Sequence, residues 1–154
     1  MASAIKAYAP PLRAAYRYCA LSNLHRFDDI RSMIDPNGLV YGSKGVDDIM
    51  DGIRGFYKKY DDVFWIYKSI AEEKHPSKIL IDFDRYWTVK KDGGDSKEIY
   101  CSSATEIIEF NNEGLITSIV YCSPPTEPVL FGLSYPASRQ SVLAESRLIT
   151  ESTE

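Results

Sequence analysis

Glu106 and Arg85 are the two side chains whose types and placement most invite chemistry. In Lys97–Cys122, KEIYCSSATEIIEFNNEGLITSIVYC, two β-rich runs meet at Asn111-Asn112-Glu113-Gly114, which has the composition of a hairpin turn. Strand side chains alternate, so Tyr100, Ser102, Ala104, Glu106, Ile108 and Phe110 share one face, the more apolar of the two. A carboxylate turned inward there must be paired, hydrogen-bonded or protonated, because burial penalises the charged form. The preceding strand, Ile79–Val89, puts Ile79, Ile81, Phe83, Arg85, Trp87 and Val89 on its own apolar face. If the 90–96 turn, KKDGGDS, sets Asp92 opposite Asp95, then Arg85 faces Ser102 and Ile81 faces Glu106, and the two apolar faces agree. Pairing Phe110 with Leu115 adds Thr117, Ile119 and Tyr121 to that face, whereas a bulge exchanges them for Ile116, Ser118 and Val120.

Such a site has three readings. Arg85 holds Glu106 ionised as a general base; or Arg85 binds an anionic group of a ligand while Glu106 stays protonated and donates to an oxygen; or the two form a buried pair that only orders the core. Tyr121, Ser102 and Trp87 would line the pocket beside Arg85.

Other groups carry less. Cys19, Cys101 and Cys122 lack zinc spacing, and Asp47, Asp48 and Asp51 lie on the polar side of a helix. No metal and no cofactor are expected, since no compact ligand set and no phosphate-binding glycine loop occur. His25 falls at a helix end and His75 in a polar turn. Tyr16, Tyr57, Tyr60, Tyr67, Trp65 and Trp87 read as core or interface aromatics more than as ligand platforms.

The elements that must position the site follow from periodicity. After a lead ending in Pro10-Pro11, helices are expected over about Leu12–His25 and Phe27–Ile34, stopped by Asp35-Pro36-Asn37-Gly38. Leu39-Val40-Tyr41 is a short strand at most. Val46, Ile49, Met50, Ile53, Phe56, Tyr57 and Tyr60 recur at helical spacing. Val63–Ala71 then opens a meander that continues through 79–89 and 97–122. Helices ahead of a meander imply an α+β fold rather than alternating βαβ units. Residues 1–122 form the domain, and 123–154 an extension in which Pro128–Leu133 docks and the end, from Ala137, is a weak helix or a flexible tail.

The element order, the Arg17-Tyr18, Asn23 and Phe27-Asp28-Asp29-Ile30 spacing, and the segment EIIEFNNEGLITSIVY resemble the nuclear transport factor 2-like superfamily, in its SnoaL-like and ketosteroid isomerase-like branch, over about Leu12–Cys122. The resemblance implies a cone-shaped curved antiparallel sheet wrapped around N-terminal helices, a cystatin-like α+β roll with an interior pocket, and homodimers through the outer sheet face, here carrying Leu80, Tyr86 and Ile107. It also implies an oxyanion-binding pair, a first-helix tyrosine and a strand carboxylic acid, at Tyr18 and Glu106. The isomerases' aspartate base has no counterpart in Leu39-Val40-Tyr41-Gly42. The expected function is cofactor-free isomerisation, cyclisation or elimination on an apolar carbonyl-type small molecule. The alternative is a non-catalytic member that binds a hydrophobic ligand or a protein partner.

Composition narrows the setting. With 18 basic against 22 acidic residues and a net charge of −4, the chain offers no surface for tracking phosphates, so no nucleic-acid partner is expected. No apolar run reaches the roughly 20 residues of a membrane span. An odd number of cysteines without a signal-like start points to reduced thiols and a cytoplasmic protein.

Overall fold

The computed structural model describes residues 2–92 and 94–154. In chain order the elements are α1 (Ala2–Ile5), α2 (Pro10–Asn23), α3 (Phe27–Ser32), β1 (Ile34–Val40), β2 (Ser43–Lys44), α4 (Val46–Lys59), β3 (Phe64–Glu72), β4 (Lys78–Lys90), β5 (Lys97–Phe110), β6 (Ile116–Ser123), β7 (Val129–Gly132) and α5 (Arg139–Thr153). This is an α+β fold, with the sheet ordered β2-β1-β6-β5-β4-β3 and β7 paired to β5. The apolar stripes of α2 and α4 bury Ala15, Tyr18, Cys19, Ile49, Met50 and Ile53 against Ile79, Ile81, Phe83 and Ile108 of the sheet.

The central pairing has the register expected from the sequence, with Arg85 opposite Ser102 and Ile81 opposite Glu106. The turn between these strands includes Gly93, which lies outside the described residues. Between β5 and β6 the two sequence alternatives are combined. Phe110 pairs with Ile116, a register shift follows, and then Ile108 meets Ile119 and Glu106 meets Tyr121. Ile116 and Ile119 are therefore both buried on the inner face.

β1 is longer than expected and changes the sheet from purely antiparallel to mixed, because it pairs parallel to β6. Asp35-Pro36-Asn37-Gly38, with the composition of a stop, forms the irregularity between the Ile34–Ile116 and Leu39–Ser118 pairs. There the missing N–H of Pro36 costs no ladder bond. Gly38 permits the approach, for a Cβ would sit 3.0 Å from the Asp35 carbonyl oxygen and 3.1 Å from that of Ile116.

α2 is tied to the sheet by one side chain. The Asn23 amide donates to the Trp65 carbonyl oxygen at 3.0 Å and accepts from the Trp65 N–H at 2.8 Å, replacing a neighbouring strand at the edge of β3. His25, at φ 56°, ends the helix and bonds the Val63 carbonyl oxygen at 2.9 Å, a structural role.

β7 docks on β5, and the residues after Ala137, read from the sequence as a weak helix or a flexible tail, form α5, which packs on α1 and α2 through Ile149 and on the outer sheet face through Val142 and Leu143. Arg139 anchors its start, 3.1 Å from the Asp62 carboxylate and stacked on Tyr135. Tyr86, expected on the open outer face, is 6% exposed beneath Phe131 and Tyr135. No helix among the described residues is long and apolar enough to cross a membrane.

Candidate active site

An interior cavity of about 280 Å³ lies between α2, α4 and the inner sheet face. Its apolar wall includes Ile30, Val40, Ile49, Ile53, Phe56, Trp65 and Phe83, and its polar groups are Tyr18, Tyr41, Tyr57, Tyr67, Arg85, Glu106 and Tyr121. Three of the latter form a row. The Tyr18 and Tyr41 hydroxyls stand 3.4 Å apart, and Tyr41 donates to Glu106 Oε2 at 2.8 Å. Among the described residues nothing donates to the other oxygen, Oε1. Glu106 is 3% exposed, and burial pushes its carboxyl up from 4.5 to about 7, against the lowering effects of the Tyr41 hydrogen bond and the Arg85 charge. Desolvation and the nearby Glu106 charge raise Tyr18 and Tyr41 well above the ordinary phenol range, so both remain donors.

Tyr41 reaches this row through a strained turn. Val40 and Ser43 pair across the two-residue connection Tyr41-Gly42, and both turn residues have positive φ, 50° and 83°. That is the requirement of a type I′ hairpin, which a tyrosine seldom meets. The residue is 41% exposed at the cavity mouth, its ring beside that of Tyr121 with centroids 5.4 Å apart, while its hydroxyl points inward to Glu106.

Arg85 is 4% exposed and lines the same cavity. Its guanidinium carbon lies 4.9 Å from the ring centroids of Phe56 and Tyr60 and 5.6 Å from that of Trp87, a three-sided aromatic cage. One nitrogen donates to Ser102 Oγ at 3.3 Å, and Nε has no partner. Arg85 and Glu106 share the cavity without forming an ion pair within 4.0 Å, so the buried pair considered from the sequence is not the arrangement found.

The structure thus brings Tyr18, Glu106, Arg85 and Tyr121 to one cavity. Ser102 and Trp87 do not line it; they stand behind Arg85 and hold it. Tyr57, Tyr67 and Trp65, read from the sequence as core or interface, are cavity walls. Tyr41 was missed. Its only sequence signal is the Tyr-Gly pair between short β segments, which specifies a turn but not where the ring goes. Among the described residues no group of three or more His, Cys, Asp or Glu side chains could hold a metal.

No family model and no curated protein sequence matches the chain. Solved structures do. A nuclear transport factor 2-like protein of unknown function from Exiguobacterium sp. 255-15 is 18% identical and aligns over 74% of this chain and 98% of its own, with a TM-score of 0.59. A Mycobacterium tuberculosis protein in complex with estradiol-17beta-hemisuccinate is 14% identical over 78% of this chain and 100% of its own, at 0.62. A Delta 5-3-ketosteroid isomerase from Mycobacterium sp. is 11% identical over 77% and 98%, at 0.60. At these identities the likeness is one of architecture, and it places the chain in the nuclear transport factor 2-like fold.

Proposed function

We propose that the cavity binds an apolar ring compound bearing a carbonyl group and moves a proton on it without a cofactor, with Glu106 as the acid/base and Tyr18 as the donor to the developing oxyanion. The observation that carries this reading is a buried carboxyl, raised to about 7, whose one hydrogen-bonded oxygen is held by Tyr41 and whose other oxygen has no protein partner. A carboxyl near neutrality is populated both as base and as acid at working pH, the condition under which proton transfer is most effective. The Glu106 carboxylate would take a proton from the carbon next to the carbonyl, the enolate oxygen would be met by the Tyr18 hydroxyl, and the protonated Glu106 would return the proton to carbon. Such a cycle yields an isomer, and loss of a leaving group from the enolate yields an elimination. An engineered apolar cavity of ~150 Å³ holds benzene. At about 280 Å³ this one suits two or three fused rings.

The test is hydrogen–deuterium exchange at the carbons flanking the carbonyl of 2-tetralone, followed by NMR. The protein is expected to accelerate exchange, Glu106→Gln to reduce that acceleration about 100-fold or more, and Tyr18→Phe about tenfold, with the double variant losing less than the product. Exchange unaffected by Glu106→Gln would overturn the assignment. A second reading, a pocket that holds an apolar ligand without turnover, draws on Glu106 being the one carboxylate among the described lining residues. Binding of 2-tetralone with no acceleration of exchange would decide for it.

A further inference from the structure

Arg85 is more deeply buried than its partners justify. A guanidinium has five N–H donors, yet among the described residues its one hydrogen bond of good geometry, to Ser102, is made at the long distance of 3.3 Å, the neutral Tyr121 hydroxyl lies nearby, and Nε is buried with no partner. The salt bridges of the molecule involve other arginines and lysines on the surface, such as Arg31 with Asp47, Lys68 with Asp84 and Lys78 with Glu109. Aromatic faces at 4.9, 4.9 and 5.6 Å offset part of the cost of burying a cation. They supply no opposite charge. Glu106 is a poor counter-ion, because it lies beyond ion-pair distance and gives its held oxygen to Tyr41. A bare buried cation of this kind is expensive unless something in the cavity completes it.

We propose that Arg85 is an anion subsite of the cavity, and that the natural ligand is an apolar ring compound carrying a carboxylate, held by the guanidinium while the rings fill the apolar wall. This rests on the reading of the cavity as a ligand pocket and narrows the substrate class from carbonyl compounds in general to keto acids or aryl acids. The planar guanidinium fork matches a carboxylate in a way that a point charge does not. Ser102 and the aromatic cage then act as positioning residues, fixing the plane of the guanidinium before a ligand arrives. Arg85 would discriminate by charge and leave the proton-transfer row of Tyr18, Tyr41 and Glu106 free for the other end of the ligand.

The experiment compares 2-naphthoate with its neutral counterpart 2-naphthamide by calorimetry, on the wild-type protein and on Arg85→Met. The naphthoate is expected to bind the wild type about tenfold or more tightly than the amide, and the preference is expected to fall to within about twofold in Arg85→Met. In parallel, the arginine Nε–Hε resonance of Arg85 in the wild type, identified by its absence from Arg85→Lys, should move with naphthoate and stay still with naphthamide. That readout decides the matter if Arg85→Met does not fold. Equal binding of the two probes overturns the anion subsite while leaving the pocket reading standing. A preference that survives in Arg85→Met, or an Arg85 resonance that ignores naphthoate, overturns it as well. Failure of both probes to bind the wild type removes the subsite and the ligand pocket together.

Discussion

Glu106 dominates the acid–base behaviour of the interior, and its burial has a thermodynamic signature. Its carboxyl sits at 4.5 when unfolded and at about 7 when folded, so between these values the folded state binds more protons. Its contribution to stability therefore falls as pH rises from about 4.5 to 7 and is level above that, the reverse of the salt-bridged carboxylate case. The span corresponds to about 3 kcal/mol for a group 3% exposed. Glu106→Gln is expected to abolish this slope and to make the protein more stable than wild type at pH 8 but not at pH 4.5. Urea unfolding of both proteins across that range checks it, and a variant less stable at pH 8 would show that the carboxylate is held by partners stronger than Tyr41. Glu106 and Arg85 were legible in the sequence because strand alternation is strict: once the Ile81–Glu106 and Arg85–Ser102 pairs are fixed, both side chains must face inward. Tyr41 was not, because the sign of φ at a turn decides where its ring points, and residue type only weakly constrains that sign.

The pairing of α2 with β3 shows how an element is held in register by one polar side chain. Asn23 is 6% exposed and meets both backbone groups of Trp65. Asn23→Ala would leave a buried N–H and a buried carbonyl without partners, an expected loss of about 2–4 kcal/mol. Because α2 carries Tyr18, the same variant should weaken binding of 2-tetralone. A loss in urea unfolding below about 1 kcal/mol would mean that water or a shift of β3 replaces the amide. α4 was readable from its stripe, and its ends fit the helix dipole, with Asp47 and Asp48 in the first turn and Lys58 and Lys59 in the last. β1 was not readable before Leu39, because Pro36 and Gly38 carry turn propensity that pairing with β6 overrides. α5 was equally obscure, since its apolar residues serve two surfaces, Val142 and Leu143 on the sheet and Ile149 on α2, and so trace no single stripe.

The outer sheet face of the molecule keeps apolar side chains open. On the outer face of the sheet Val129 and Phe131, 60% and 47% exposed, lie beside Cys101, and Val120, 47% exposed, lies beside the partly open Ile107 and Leu80, with Ser103 and Thr105 between the two areas. Exposed apolar area of this kind on a small protein marks an association site. A homodimer through this face is expected in sedimentation at micromolar concentration, with Val129→Lys shifting it to monomer; a monomer at high micromolar concentration would exclude it. With Tyr86 withdrawn beneath Phe131, such a dimer would be built on the C-terminal strap as much as on the sheet. That strap also sets a timetable during synthesis. Six of the seven strands are made by Ser123, but Phe64, Tyr86 and Ile99 gain their cover from Phe131, Tyr135, Val142 and Leu143, about 8 to 20 residues later. A chain folded only as far as Ser123 would therefore carry a bare apolar patch on its outer face, and closing that patch falls to the C-terminal strap.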